Sequence, residues 1–187
     1  MRIGLFGGSF DPFHLGHFLI ARTARELFRL RKVVFLPCAH SPLKKGRPVA
    51  GDQARLAMLR QGLKGQGWAV VSDWEIKKGG VSYTVDTLRA MQKRHPQSSF
   101  FWIMGSDQWE LLPSWKEPHE LRRNLAFLVF SRPQSLRSRR GFRMKQIPLR
   151  FDVSATEVRR RIQKQLSITG LVPPAVETLI HKHRWYR

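Results

Sequence analysis

Two histidines three residues apart, His14 and His17, follow a glycine pair, Gly7-Gly8, that closes a short apolar run at the start of the chain. Imidazoles at this spacing on a first helical turn share one face and can donate hydrogen bonds to phosphate oxygens. Gly7 and Gly8 let the backbone turn sharply and bring amide N–H groups close to an anion. A helix beginning near Gly16 aims the positive end of its dipole at the same place, and Gly16 permits close approach of a nucleotide. The chemistry expected is therefore phosphate binding. The run lacks the Gly-Lys-Ser/Thr of the Walker loop and is not the dinucleotide Gly-x-Gly-x-x-Gly. Zinc would need further ligands, since the spacing departs from the i, i+4 pair of metalloproteases and no Glu stands between the histidines.

The elements around this turn follow from the hydrophobic pattern. Short apolar runs at 2–6, 32–36, 69–72, 100–104 and 125–131 read as strands. Helical spacing carries Ile20, Ala24, Leu27 and Phe28 within 16–30, then Leu56, Leu59 and Leu63 behind Asp52 as the expected N-cap, then Leu88 and Met91 after Thr84. From Ser154 the chain returns to helix, first with Val158 and Ile162, later with Val176 and Ile180 behind Pro173-Pro174. Strand and helix in alternation predict an α/β fold, a doubly wound parallel sheet covered on both faces. Such sheets bind ligands at the carboxyl ends of their strands, near the switch point. The informative positions are then 7–17, 37–44, 105–115 and 131–132. Residues 132–150, bracketed by Pro133 and Pro148 and poor in apolar residues, read as a mobile loop.

The 187 residues fit a single domain, 1–187, with a C-terminal helical portion at about 154–187. A 42% hydrophobic content can fill one core, which argues against a fully disordered basic chain despite the charge. No apolar run reaches the ~20 residues of a membrane span, and the glycine-broken N-terminus is too short for a signal peptide. The single Cys38 excludes a disulfide framework and a cysteine-cluster zinc site. A cytoplasmic protein with no membrane partner is expected; oligomeric state is not legible. The net charge of +21 predicts attraction to polyanions. Arg132, Arg137, Arg139, Arg140, Arg143, Lys145 and Arg150 meet no acid within 132–150, and Arg159-Arg160-Arg161 follow. A solvated basic face is the preferred account. Nucleic-acid binding through 132–161 stays open as a secondary one.

The motifs in order resemble a known family. His14-Leu15-Gly16-His17 is similar to the His-x-Gly-His signature of the nucleotidyltransferase superfamily, and residues 7–17 resemble bacterial nicotinate-nucleotide adenylyltransferases in particular. Ser82-Tyr83-Thr84-Val85-Asp86-Thr87-Leu88, Gly105-Ser106-Asp107 with Trp115, Ser131-Arg132-Pro133, Val153-Ser154-Ala155-Thr156-Glu157-Val158-Arg159, and the closing Leu171 to Val176 with Trp185-Tyr186 extend the likeness over nearly the whole chain. The resemblance implies a Rossmann-like sheet of the nucleotidyltransferase type. It also implies transfer of an adenylyl group from ATP to nicotinate mononucleotide, giving nicotinate adenine dinucleotide and pyrophosphate in NAD biosynthesis, by direct in-line attack.

Catalysis would then be positioning plus charge neutralisation. By resemblance His14 and His17 hold ATP phosphates, with His17 the first choice for stabilising the transition state. Gly7, Gly8, Ser9, Phe10 and Gly16 belong to the ATP site, with Gly8, Ser9 and Phe10 offering backbone groups near the nucleotide phosphates. For Asp11 a turn or capping role and a ligand contact are left equal. Arg159 clamps the β,γ-phosphates, with Ser154 and Thr156 at a helix N-terminus. Lys44 takes the role of a loop cation although Pro42-Leu43 stands where relatives carry Pro-His, and neighbouring Lys45 could replace it. Ala155 stands where many relatives carry Ser.

Tyr83 and Thr84 receive the nicotinate carboxylate on backbone N–H groups, and Trp115 stacks on the pyridine. Asp107, beside Gly105, accepts from ribose hydroxyls or caps a helix. Ser131 and Arg132 lie beside adenine. Trp102 is read as core, while Trp109 and Trp115 follow the strand end. Mg²⁺, held mainly by ATP phosphates and water, is the expected ion, with no protein ligand named. Nicotinamide mononucleotide or phosphopantetheine as acceptor, and a basic nucleic-acid-binding relative, are the alternatives.

Overall fold

The computed structural model describes residues 1–44, 46–131, 136–148, 151 and 153–187. Six parallel strands form one sheet in the order β3-β2-β1-β4-β5-β6: β1 (Arg2–Gly8), β2 (Lys32–Pro37), β3 (Ala69–Val71), β4 (Ser99–Gly105), β5 (Leu125–Ser131) and β6 (Arg143–Pro148). The central strands are apolar throughout because both faces are buried. Their period of two divides them between two cores. Phe6, Val33, Phe35, Ile103, Leu128 and Phe130 point to one core, and Leu5, Val34, Leu36, Trp102, Phe127 and Val129 to the other.

The first core is closed by α1 (Leu15–Leu27), α2 (Asp52–Gly62), α7 (Ala155–Gln163) and α8 (Pro174–His183), through Ala21, Met58, Val158 and Val176. The second is closed by α4 (Thr84–Arg94), α5 (Ser106–Leu111) and α6 (Pro118–Asn124), through Leu88, Trp109 and Leu121. A short α3 (Trp74–Lys78) precedes α4. The C-terminal helices thus pack on the same face as α1 and α2. Among the described residues no helix is long and apolar enough to cross a membrane.

Several sequence expectations are corrected. The 132–150 loop holds β6, which pairs in parallel with β5 from Ala126↔Arg143 to Ser131↔Pro148. Its apolar signal is weak because an edge strand tolerates charge on its open side. Nor is 136–142 a free loop: Leu136 and Phe142 pack on the second core, and the Trp109 indole donates to the Arg137 carbonyl at 3.0 Å. The cap of α2 is Gly51, with Asp52 as first helical residue, its carboxylate 2.6 Å from Arg55. Of the basic stretch 132–161, Arg132 and Arg150 lie outside the described residues, and the three arginines of α7 have partners within the fold. Arg159 reaches the carbonyl of Asp11, Arg160 pairs with Glu157, and Arg161 donates to the Ser167 carbonyl.

Candidate active site

The chain reverses its winding direction at β1, with β2 on one side and β4 on the other. A cleft of about 790 Å³ opens there, lined by Gly7 and Gly8 from β1, Cys38 after β2 and Gly105 from β4. This is where a doubly wound sheet leaves a crevice outside its strand ends.

Gly7 and Gly8 do not turn the chain. They are the last residues of β1, and neither has a positive φ. The bend comes at Phe10, with φ 48°, followed by a cis Asp11-Pro12 bond. What glycine supplies is the missing Cβ, which at Gly7 would stand 2.8 Å from the Trp102 ring and at Gly8 3.3 Å from Phe10. Gly16 is likewise a packing residue: a Cβ there would meet the His14 ring at 3.0 Å and the Val153 carbonyl at 3.1 Å. It does not line the cleft.

His14 is the N-cap of α1, and His17 the third residue of the helix. The pair forms a capping box from two imidazoles. His17 N–H donates to His14 Nδ1 and His14 N–H to His17 Nδ1, both at 3.3 Å. The rings stack with centroids 3.6 Å apart. Since each Nδ1 accepts, the proton of each neutral ring sits on Nε2, leaving a donor outside the box on either ring. His14 is buried, which lowers its pKa from 6.5 to about 4. Burial, then His14, then Lys44 hold His17 well below the usual imidazole value. Both side chains are neutral donors at neutral pH, and both line the cleft.

The cations converge on the same end. Lys44 Nζ lies 3.2 Å from Ser9 Oγ. Arg159, on α7, donates to the Asp11 carbonyl at 2.6 Å and to Thr156 Oγ1 at 3.3 Å. Ser154 caps α7 by accepting from Glu157 N–H at 3.2 Å, and with Thr156 it lines the cleft. The Asp11 carboxylate is committed to the chain. It accepts from Val49 N–H at 2.7 Å, Ala50 N–H at 3.0 Å and the Tyr186 hydroxyl at 2.8 Å. Of the two roles left open for Asp11, the structural one is visible.

At the other end of the cleft Tyr83 caps α4 and Thr84 begins it. First-turn amides of a helix have no partner within it. Trp115 stands edge-on to Trp102, with centroids 6.1 Å apart. The buried indole N–H groups of both find no acceptor among the described residues. Asp107 is exposed at the cleft with Gly105 as the cap of α5, and the Lys116 ammonium lies 4.9 Å over the Tyr83 ring. Trp109 is buried in the second core. Ser131 is also buried, its hydroxyl accepting from Gln146 at 2.8 Å, and it does not line the cleft. Arg132 and Lys45 lie outside the described residues.

Two supporting side chains carried no sequence signal. Arg55, fully buried on α2, donates to the Ser9 carbonyl at 2.8 Å and the Cys38 carbonyl at 2.7 Å, tying together the segments after β1 and β2. Glu75 accepts from Thr87 Oγ1 at 2.6 Å, and burial raises its pKa. A buried charged side chain beside two strand ends would have been the hint, but burial is not written in one sequence.

Residues 5–161 match the cytidylyltransferase-like family. A Thermus thermophilus protein named "probable nicotinate-nucleotide adenylyltransferase" is 39% identical over the whole of both chains. A Methylacidiphilum infernorum protein of the same name is 38% identical over 99% of this chain and 92% of its own. The chain belongs to the nicotinate-nucleotide adenylyltransferase family. Its fold agrees with that of the Plasmodium falciparum nicotinic acid mononucleotide adenylyltransferase solved with NaAD. That match has a TM-score of 0.82 at 21% identity and covers 99% of this chain and 97% of the other. As expected of the family, the sheet has helices on both faces and the His-x-Gly-His segment at its switch point.

Proposed function

We propose that this chain joins the AMP of ATP to nicotinate mononucleotide, releasing pyrophosphate and forming nicotinate adenine dinucleotide. An oxygen of the mononucleotide phosphate attacks the α-phosphorus. A new P–O bond forms as the bond from that phosphorus to the bridging oxygen of the β-phosphate breaks, and pyrophosphate carries away the electron pair. No side chain forms a covalent intermediate. The observation that carries this reading is the stacked pair His14–His17, each ring with Nδ1 engaged and Nε2–H left to donate, in a cleft that also holds Lys44 and Arg159.

The two imidazole donors, the Lys44 ammonium and the Arg159 fork would receive charge that accumulates on the transferring and leaving phosphates. Such fixed donors act most strongly where charge develops in the transition state. Among the described residues no three His, Cys, Asp or Glu side chains gather to ligate an ion. A Mg²⁺ ion arriving with the triphosphate would be held mainly by phosphate oxygens and water and would neutralise phosphate charge.

The backbone N–H groups of Tyr83 and Thr84 at the start of α4 favour a carboxylate over a carboxamide, whose NH2 would face another donor. Trp115 offers its face to the pyridine. The test is pyrophosphate release from ATP with nicotinate mononucleotide, nicotinamide mononucleotide or phosphopantetheine as acceptor. The reading requires the first to be turned over fastest, and it fails if the other two match it.

A further inference from the structure

Because all six strands run the same way, the molecule has two unlike ends. The strand carboxyl ends form the cleft. The strand amino ends and the last turns of α4 and α6 meet at the opposite end. There the chain places Arg2 at the start of β1, Arg31 and Lys32 at the start of β2, Lys93 and Arg94 in the last turn of α4, Arg123 in the last turn of α6, and Arg143 as the first residue of β6.

Contacts join these residues into one band. Arg31 N–H donates to the Arg2 carbonyl at 2.9 Å, and Lys32 Nζ lies 3.2 Å from the ring of His95, the C-cap of α4. Gln92 ties α4 to Asn124 of α6 at 3.0 Å, and Arg143 donates to the Arg123 carbonyl at 3.4 Å. Among the described residues, none of these seven cations is ion-paired with a carboxylate. Some cations elsewhere are, Arg60 and Lys77 with Asp73, Lys78 and Lys116 with Asp86, and Arg89 with Glu117 and Glu120, although 34 Lys and Arg against 13 Asp and Glu leave many others unpaired as well. The two helix C-termini supply only about half a negative charge each, so most of the band's charge stands uncompensated.

We propose that this band binds the phosphodiester backbone of a nucleic acid, at a surface separate from the nucleotide cleft. Five of the seven cations are arginines, whose planar fork takes phosphate oxygens two at a time. The band crosses β2, β1, β4, β5 and β6. At about 4.8 Å per strand interval it is roughly 20 Å long. Along the axis of a duplex each strand carries one phosphate about every 3.4 Å, and because the strand winds around that axis the band is long enough to meet a few successive phosphates of one strand. A bilayer is the poorer fit, because Met1 and Leu27 give this end little apolar surface to insert.

The test measures binding of the full chain to a short DNA duplex and to the RNA duplex of the same sequence. It is done over a range of salt, with ATP saturating the cleft. Binding is expected to persist under saturating ATP. Each neutralised phosphate contributes about −0.9 to the slope of log affinity against log salt. The double variant Arg123→Ala/Arg143→Ala should therefore flatten that slope by about 2 while adenylyl-transfer turnover stays unchanged. Lys182→Ala/Arg187→Ala removes the same charge from the C-terminal segment, whose Tyr186 is bonded to Asp11 at the cleft end, and should leave the slope as it was. The tighter of the two duplexes names the natural ligand. Equal flattening by both double variants would overturn the proposal, as would absence of duplex binding at low salt. So would loss, in Arg123→Ala/Arg143→Ala, of binding to phosphatidylserine vesicles alone.

Discussion

A phosphate site made of histidines faces a choice between charge and solvation. Protonated imidazoles would attract the triphosphate, but burial penalises the charge while the site is empty. In this chain the rings settle as neutral donors, His14 with its pKa lowered to about 4 and His17 held well below the usual value. A bound polyanion favours the protonated ring, and a proton so gained goes to Nδ1 in place of the backbone N–H that this atom accepts. ATP binding at about pH 6, between the lowered His14 value and the free imidazole value, should therefore take up protons. Calorimetry in two buffers of different ionisation enthalpy reads this directly, and identical heats in both would contradict it. At this scale the histidines were legible because their spacing and neighbours limit what they can do. Their tautomers were not, since these depend on which backbone N–H each ring accepts. Gly7 and Gly8 were legible as necessary but misread in kind. A glycine can mean a positive φ or a missing Cβ, and only the neighbouring Trp102 and Phe10 decide.

Elements hold the site to tolerances that single atoms can break. Gly16→Ala raises helix propensity but puts a methyl 3.0 Å from the His14 ring and 3.1 Å from the Val153 carbonyl. The ring must shift, and turnover should fall by about 10²-fold, the scale expected of a misplaced catalytic group. The helix itself should persist by circular dichroism. Unchanged turnover would show that the ring position has slack. Arg55→Met leaves the carbonyls of Ser9 and Cys38 without their donor. A loss of about 2–5 kcal/mol in urea unfolding is expected, whereas a change under 1 kcal/mol would deny Arg55 its tying role. The five expected strands appear near their predicted places because buried parallel strands are apolar throughout. β6 was missed because Arg143 and Lys145 are tolerable only on an open edge, and edge position is a property of the sheet. Asp52 looked like a cap by type, but Arg55 three residues on claims its carboxylate.

For the whole molecule the buried histidine sets a pH dependence of stability. Its folded pKa is lowered, so the unfolded chain binds more protons between about pH 4 and pH 6.5. Stability should be full above about pH 6.5 and decline as pH falls toward 4, by up to about 3 kcal/mol from this one group. Urea midpoints across that range should show the slope, and His14→Asn, which keeps a good N-cap side chain, should remove the part that His14 supplies while leaving that of the likewise lowered His17. A pH profile unchanged by His14→Asn would place the linkage elsewhere. The two-ended distribution of charge could not be seen along the chain, because residues as distant as Arg2, Arg94 and Arg143 meet only through parallel pairing.

Everything in the catalytic account converges on His17, and the most direct test is steady-state adenylyl transfer by His17→Ala. The account predicts a fall in kcat of about 10³-fold, the scale of removing a donor aimed at developing charge. The KM for ATP should stay within a few-fold, and the melting temperature should drop by only a few degrees from the lost capping contact. Turnover within tenfold of the unmodified chain, in a protein that remains folded, would contradict it.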